Sequence, residues 1–421
     1  MASAINVTIG AGIFVLPATV AAGLGPAAPL AYVVCGGMMA LIIVCFAAAG
    51  SRVSSTGGLY AYVDVAFGRF VGFLTGVLYC LSASLAAASV ASALAASIAA
   101  IWPVAATVAA RVSLLTALVG GLAVVNLRGV TPGARLVEAV TLAKLLPLVV
   151  LIVAGVWFVR GERLVFATLP AASAVGRTAI VLIFAFVGVE IALVPGGEVS
   201  DPARTVPRAL FMALAATTAI YLAIQTVALG LLGPSMADYS AAPLAEAMAR
   251  VLGPGGRLFV LAGATISMFG YLAGDMLGSP RALFALARDR LLPAPLSRVH
   301  PRYHTPHVAI VTYAIIVGAG SVSSSFTELA IVTNVSTLSM YLLCVLASYQ
   351  LQRRDVRGGG TPFAMPGGPL VPALAATAIL WLLSHATGRE VALEAVVLGI
   401  ASAYYLIASI SRSSRETSAS S

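Results

Sequence analysis

Long apolar runs with few charged residues constrain the fold of this chain more than any other feature. We find twelve, at residues 3–23, 27–49, 70–101, 112–127, 136–158, 178–197, 207–232, 258–278, 306–323, 327–350, 369–386 and 391–411. A helix needs about 20 mainly apolar residues to cross a bilayer. Charged residues make up only 9% of the 421 residues, whereas a soluble protein carries about 25%. The sequence therefore predicts an all-α polytopic membrane protein with twelve transmembrane helices.

The positions of the basic residues predict the orientation of the chain. With a cytoplasmic amino terminus, seventeen of the 24 lysines and arginines fall in or next to inside segments. Basic residues favour the cytoplasmic side, so both termini are expected there, in a cytoplasmic membrane. The longest outside segment, Ser235–Gly253, is expected to hold a short surface helix. Because the arginines sit at the ends of apolar runs rather than in a solvated patch, no nucleic-acid partner is expected.

Two of the runs are interrupted in a similar way. The first contains "TIGAGIFVLP", Thr8 to Pro17, and the sixth contains "FAFVGVEIALVP", Phe184 to Pro195. A broken helix exposes backbone groups that lipid cannot satisfy, so breaks persist only against protein or a water-filled cavity. One such run alone is more simply explained by close packing of small residues between helices. Two of them favour a transporter site, where a half-helix amino terminus meets a carboxylate and free carbonyls meet an ammonium group.

Three charged residues, Lys144, Glu190 and Asp275, lie well within apolar runs. A charge at the bilayer centre costs about 2.5–3.5 kcal/mol on insertion scales, so each is a candidate functional residue. A purely structural ion pair or a neutralised carboxylic acid is the alternative for each of them.

Several motifs, in order along the chain, carry a resemblance to a known family. They are "GAGIFVLP", "SSTGGLYAYV", "FAFVGVE", "GEVSDPARTVPRAL", "SPRALFALARDRLLP" and "HPRYHTP". From about residue 5 to residue 411 the chain resembles the amino acid–polyamine–organocation transporter superfamily, of the bacterial amino acid permease type. The resemblance implies one transporter domain over residues 1–421 and alternating access around broken helices 1 and 6. It also implies a five-plus-five inverted repeat, with repeats at 1–160 and 177–350 and two additional helices at 369–411.

The resemblance also implies which residues of the first run contact substrate. The backbone N–H groups of Gly10, Ala11 and Gly12 would face a substrate carboxylate. The carbonyls of Thr8 and Ile9 would lie near the substrate amine. Only nine residues precede Gly10, which rise about 13–14 Å as a helix. We therefore expect either a short inner half-helix or a start further upstream.

On the sixth run the resemblance implies a lid and part of a gate. Phe184 would be an aromatic lid over the substrate, and Val187 would offer a carbonyl to the amine. Glu190 would lie just on the cytoplasmic side of the site. Tyr79 and Tyr341 would form an inner gate with it, since a tyrosine hydroxyl can satisfy a buried carboxylate.

Two charged residues bear on ion coupling. Lys144 resembles the lysine that stands in for a sodium ion in proton-linked and exchanging branches, so transport is expected to be independent of sodium. Asp275 departs from the family, some members of which have an aromatic residue that lines the substrate pocket. It can pair with Lys144, act as a proton carrier, or bind a cationic end of the substrate, and the sequence leaves all three open.

We therefore predict secondary active transport of an amino acid or related amine, as a proton symporter or an exchanging antiporter. A polyamine or basic amino acid exchanger is the alternative. An intramembrane hydrolase would need a GxSG nucleophile, two facing aspartates or an HExxH zinc motif. The sequence has neither motif and only one mid-span aspartate, Asp275, so no enzyme is expected. A channel fits two broken helices less well than a carrier does. The expected partners are a small-molecule substrate, protons and the lipid bilayer, with no cofactor and no metal.

Overall fold

The computed structural model describes residues 9–53, 59–129, 134–188, 202–357 and 362–419, with the backbone alone for 134–142, 202–206 and 410–419. The longer elements in these ranges are all α-helices. They are α1 (Gly12–Leu24), α2 (Ala28–Gly50), α3 (Leu59–Phe67), α4 (Arg69–Ile101), α5 (Val108–Leu127), α6 (Ala134–Gly155), α7 (Ala172–Leu182), α8 (Pro202–Leu232), α9 (Pro243–Gly278), α10 (Pro280–Arg288), α11 (His307–Ser323), α12 (Phe326–Arg353), α13 (Leu370–Leu383) and α14 (Gly388–Ala419).

These helices confirm an all-α polytopic membrane protein. Each predicted run overlaps one of them, and in the described residues seven stretches are long and apolar enough to cross a membrane. Four further apolar helices are shorter, and the interrupted α7 is among them. Helix length alone does not show whether a helix crosses the whole membrane or only half of it. The count of twelve transmembrane helices and the boundaries of the inverted repeats therefore stay predictions.

Burial separates the central helices from the peripheral ones. In their most apolar windows, 67% of residues are buried in Gly12–Gly50, Arg69–Ile101 and Phe326–Arg353, against 11% in Gly388–Ser409. Helix α1 packs on α7, α8 and α9, while α12 packs along α4 and α2. Residues 86–95 of α4, which are alanine, serine, valine and leucine, are all buried. Small side chains let helices approach closely where lipid gives no hydrophobic driving force.

The segment Ser235–Gly253 contains the expected helix, but one face of that helix is buried rather than lying on the surface. Helix α9 begins at Pro243, and the chain bends at Gly253 before it continues toward Gly278. Leu244, Ala245 and Met248 are buried, so one face of this first part packs on the protein. The predicted eighth run, which starts at residue 258, is therefore only the second part of a longer, bent helix.

Two short helices, α3 and α10, were not predicted. Each has nine residues, which is too short to register as a membrane run. Helix α3 packs on α4 and α12, and α10 packs on α4 and α11. Leu286 of α10 lies in a small apolar cluster with Phe73 of α4. Both helices therefore attach segments between the apolar runs to the central bundle.

Candidate functional site

The first interruption lies immediately before α1. Ile9, Gly10 and Ala11 are not helical, yet all three are buried. The residue that precedes α1, Ala11, makes no side-chain hydrogen bond to the helix. The N–H of Phe14 donates to the carbonyl of Ala11, and the first N–H groups of a helix otherwise have no partner within it. The predicted carboxylate contacts at Gly10, Ala11 and Gly12 fit this position, while Thr8 lies outside the described residues.

The second interruption follows α7. The α-helix ends at Leu182, tightens into a 3₁₀ turn at Ile183–Ala185, and continues as a turn to Gly188. Gly188 has φ = 105°, a left-handed value that strains any residue with a Cβ. The sixth run therefore unwinds from Ile183 onward, so the interruption begins just before the predicted segment Phe184–Pro195. Glu190 lies outside the described residues.

The two interruptions meet in space. A Cβ built on Gly12 would lie 2.9 Å from the Cα of Ala185, which is shorter than the contacts that Cβ atoms make in proteins. Both positions are buried. The fold thus brings together the two segments, "GAGIF" and "FAFVG", that the sequence indicated as the halves of one site.

Lys144 on α6 reaches the first interruption. Its Nζ donates a hydrogen bond of 2.8 Å to the carbonyl oxygen of Ile9. The lysine is 4% exposed and Ile9 is fully buried. Because Ile9 is not helical, its carbonyl needs a donor from another element, and a buried cation is a strong one. Lys144 thus joins α6 to the non-helical segment before α1.

Two polar side chains that the sequence did not single out satisfy carbonyls on and beside the second interruption. The hydroxyl of Tyr221, on α8, donates to the carbonyl of Ala185 at 2.9 Å. The amide of Asn334, on α12, donates to the carbonyls of Ile180 and Val181 at 2.7 and 3.2 Å. Both side chains are fully buried. Neither side chain is charged, so neither stands out in an apolar run as Lys144 does. Asn334 is nevertheless recognisable in the sequence as an amide within an apolar run.

A further buried chain of hydrogen bonds links α1 to α8 and α2. The amide of Gln225 donates to the carbonyl of Pro17 at 3.4 Å, and Tyr32 donates to the Gln225 carbonyl at 3.1 Å. The rings of Tyr32 and Tyr221 meet edge to face, with centroids 6.3 Å apart. These bonds join α1 at Pro17, within the helix, to α8 and α2. Helix α8 therefore supports both interrupted helices.

Phe184, the expected lid, packs against an aromatic ring of another helix. It is 9% exposed and meets Phe326 of α12 edge to face, with centroids 5.4 Å apart. The carbonyl of Phe326 accepts a hydrogen bond of 2.8 Å from Ser89 of α4. Phe326 was not predicted, because an aromatic residue at the start of an apolar run has no distinguishing pattern. Val187 lies in the turn after Phe184 and is partly buried, and its carbonyl role stays a prediction.

The expected inner gate is described only in part. Tyr79 is partly buried on α4. Tyr341 is fully buried on α12, where its ring meets Phe46 edge to face at 5.0 Å. Since Glu190 lies outside the described residues, the gate of Glu190, Tyr79 and Tyr341 stays a prediction.

Asp275 lies near the end of α9, apart from the expected partner. Its Oδ1 accepts a hydrogen bond from Ser279 at 2.7 Å and its Oδ2 accepts one from Tyr313 of α11 at 2.6 Å. Among the ion pairs of the described residues, none joins Asp275 to Lys144. Of the three roles left open for Asp275, the described side chains therefore show no pairing with Lys144, and the other two stay predictions.

The chemistry of the site is that of non-covalent binding. Uncapped N–H groups at the start of α1 and the positive end of its dipole suit a carboxylate. Of the carbonyls predicted to meet an ammonium group, that of Ile9 already accepts a hydrogen bond from Lys144, and the roles of Thr8 and Val187 stay predictions. In the part of the chain that the structure describes, no group of three or more His, Cys, Asp or Glu side chains could hold a metal ion.

Comparison with known proteins gives matches along nearly the whole chain. The sequence model of a family described as "Amino acid permease" matches residues 1–403. The serine/threonine exchanger SteT of Bacillus subtilis is 27% identical over 395 residues, which cover 90% of this chain and 87% of the relative. An uncharacterized transporter of Mycobacterium tuberculosis is 32% identical over 320 residues, or 74% and 69% of the two chains. The methylthioribose transporter of Bacillus subtilis is 25% identical over 406 residues, or 91% and 86%.

Proposed function

This chain belongs to the amino acid permease family, and from that premise we propose that it carries an amino acid or related amine across the membrane by alternating access. Its relatives are named as transporters, which favours a carrier over an enzyme. The excess of basic residues on one side supports a cytoplasmic membrane location with both termini in the cytoplasm.

The contact between the two interrupted helices carries this proposal. Gly12 at the start of α1 approaches Ala185 within the unwound part of the sixth run. A zwitterion placed beside this contact would find N–H groups for its carboxylate and carbonyls for its amine. Broken helices at a buried junction suit alternating access, because unwound backbone can change its partners without unfolding a whole helix.

The hydrogen bond from Lys144 to Ile9 supports transport without sodium. Unwound carbonyls of transporter helices are the groups that coordinate a sodium ion where one is used. Here a buried ammonium group already donates to such a carbonyl, at 2.8 Å. That carbonyl is then no longer free to coordinate a sodium ion, so we propose proton symport or exchange in place of sodium coupling.

Neutral amino acids are the substrate class that we propose to test first. The relatives carry different compounds by name, serine or threonine in one case and methylthioribose in the other. Both oxygens of Asp275 accept hydroxyl hydrogen bonds, which disfavours this carboxylate as the anchor of a second ammonium group. A basic amino acid or polyamine is therefore the second candidate.

Uptake of radiolabelled serine into proteoliposomes tests the proposal. We expect uptake that saturates with concentration, continues in sodium-free buffer, and accelerates when the vesicles contain unlabelled substrate. Vesicles without protein are the control, and threonine, arginine and a polyamine are tested in parallel. Complete loss of uptake without sodium would contradict sodium independence, and uptake that never saturates would indicate a channel.

Asn334→Ala is expected to weaken both transport and stability. It removes the buried donor to the carbonyls of Ile180 and Val181, of which Val181 keeps the N–H of Ile183, and loss of a buried hydrogen bond costs about 1–3 kcal/mol. We expect roughly tenfold slower uptake, since 1.4 kcal/mol corresponds to a factor of ten, together with a lower Tm in detergent. The matched control is Thr333→Val, because the neighbouring Thr333 hydroxyl bonds only within its own helix, to Leu329. Equal behaviour of the two variants would show that the Asn334 contact is unimportant.

A further inference from the structure

The Asp275 carboxylate is held by two hydroxyl donors from different elements. Ser279, at the corner between α9 and α10, donates at 2.7 Å, and Tyr313 of α11 donates at 2.6 Å. The backbone of Ser279 also donates to the carbonyl of Asp275 at 2.8 Å. Tyr313 is 1% exposed and Ser279 is 6% exposed. Oxygen–oxygen distances of 2.5–2.7 Å are those of charge-assisted hydrogen bonds to an ionised carboxylate.

No cation balances this carboxylate within the described residues. Helices α4, α5, α6, α10 and α11 are among those that pack on α9. The groups that act on Asp275 are Tyr313 from α11 and Ser279 from the corner, with Tyr271 of α9 beside Tyr313. No ion pair among the described side chains joins Asp275 to an arginine or a lysine. Asp275 is partly exposed, but a charge within an apolar helix that only dipoles stabilise is costly, and binding one proton removes that cost.

We propose that Asp275, Tyr313 and Ser279 form the proton-binding site that couples transport to a proton gradient. This inference rests on the proposed transport function. A proton from the aqueous phase forms a bond to one oxygen of Asp275 and neutralises the carboxylate. Tyr313 and Ser279 keep their own protons, so only hydrogen bonds change in the protein.

Protonation changes what the cluster can hold together. A carboxylate accepts from both hydroxyls, whereas a carboxylic acid must also donate through one of its oxygens. One hydroxyl must then accept instead of donate or turn away. The remaining bond loses its charge assistance, which makes it roughly half as strong. The hydrogen bonding between α9 and α11 therefore becomes weaker when the proton binds.

Direct packing connects this cluster to the central bundle. Ser279 immediately precedes α10, whose Leu286 packs against Gly76 of α4 so closely that a Cβ on Gly76 would lie 3.0 Å from it. Tyr79, a residue of the predicted gate, is one turn further along α4. A shift of the α9–α10 corner upon protonation therefore reaches the face of α4 near Tyr79.

Proteoliposomes with a lumenal pH-sensitive dye test the proposal on the full-length protein. Serine uptake and proton entry are measured together, between about pH 5.5 and 8.5, with and without an inward proton gradient. Wild type is expected to show uptake stimulated by the gradient and proton entry that requires serine. Asp275→Asn, which mimics the neutral acid, is expected to lose both effects while counterflow of serine persists. The control is Tyr349→Phe, an exposed tyrosine on α12.

A second variant keeps the test decisive if Asp275→Asn does not fold. Tyr313→Phe removes a donor that stabilises the ionised carboxylate, so the proton binds at higher pH. The midpoint of the pH dependence is expected to move upward by about one pH unit, a tenfold change in proton affinity. Gradient-driven uptake by Asp275→Asn, or an unmoved midpoint in Tyr313→Phe, overturns the proton site. Wild-type exchange without any proton movement overturns it as well and leaves the transport function standing, whereas a wild type that moves no substrate contradicts both.

Discussion

Lys144→Met is expected to slow uptake by about tenfold or more. The variant keeps the length of the side chain and removes the ammonium group that donates to Ile9. A hydrogen bond to a charged group contributes about 1.5–3 kcal/mol, and losing it also leaves a buried carbonyl unsatisfied. The non-helical segment before α1 then loses its fixed position relative to α6, and with it the arrangement of N–H groups at the site.

The control for Lys144→Met is Leu148→Met on the same helix. Leu148 lies about one turn further along α6 and is fully buried. A swap of leucine for methionine conserves volume and costs less than about 1.5 kcal/mol. Initial uptake rates in sodium-free buffer and the size-exclusion profile are compared for both variants. If Lys144→Met transported like Leu148→Met, the hydrogen bond to Ile9 would have no part in the mechanism.

Gly12→Ala is expected to separate the two interrupted helices and to slow uptake at least tenfold. The added Cβ would lie 2.9 Å from the backbone of Ala185, and backbone cannot move aside as a flexible side chain can. Overpacking of this kind costs about 1–3 kcal/mol, and a tenfold rate change corresponds to about 1.4 kcal/mol. A lower Tm should accompany the slower uptake.

Gly37→Ala provides the matched control for Gly12→Ala. Gly37 lies within α2, and an added Cβ there would meet no atom within 4 Å. Alanine favours a helix over glycine by about 1 kcal/mol, so this variant is expected to be as stable as wild type or more so. Wild-type uptake and Tm for Gly12→Ala would mean that the close approach of α1 to Ala185 is not needed for transport.

The sequence was sufficient to locate the interruptions and Lys144 because each violates the rules of a lipid-facing helix. Glycines at mid-depth and a buried charge both stand out against an apolar background. The residue at which the sixth run unwinds was harder to predict, since helix α7 ends at Leu182, six residues before Gly188. Where a backbone changes from α to 3₁₀ geometry depends on its packing partners, which hydropathy does not report.

The supporting donors could not be predicted in the same way. Tyr221, Gln225 and Asn334 are uncharged, and such residues occur in helices of many kinds. Their importance arises from which carbonyl each one reaches, and that depends on how helices distant in sequence pack together. Asp275 shows the same limit, because opposite charge suggested Lys144 as its partner, whereas the packing of α9 on α11 places Tyr313 against it.

The buried hydrogen bond of Lys144 also gives the protein a built-in chemical reporter. Lys144 is the only lysine in the sequence, so an amine-directed acylating reagent has one side chain to modify. In the conformation described here that amine is 4% exposed and engaged with Ile9, which protects it from acylation. The rate of acylation at Lys144 therefore measures how often α6 separates from the segment that precedes α1. Substrates and inhibitors can then be ranked by how far each one slows or speeds that reaction, without any engineered probe.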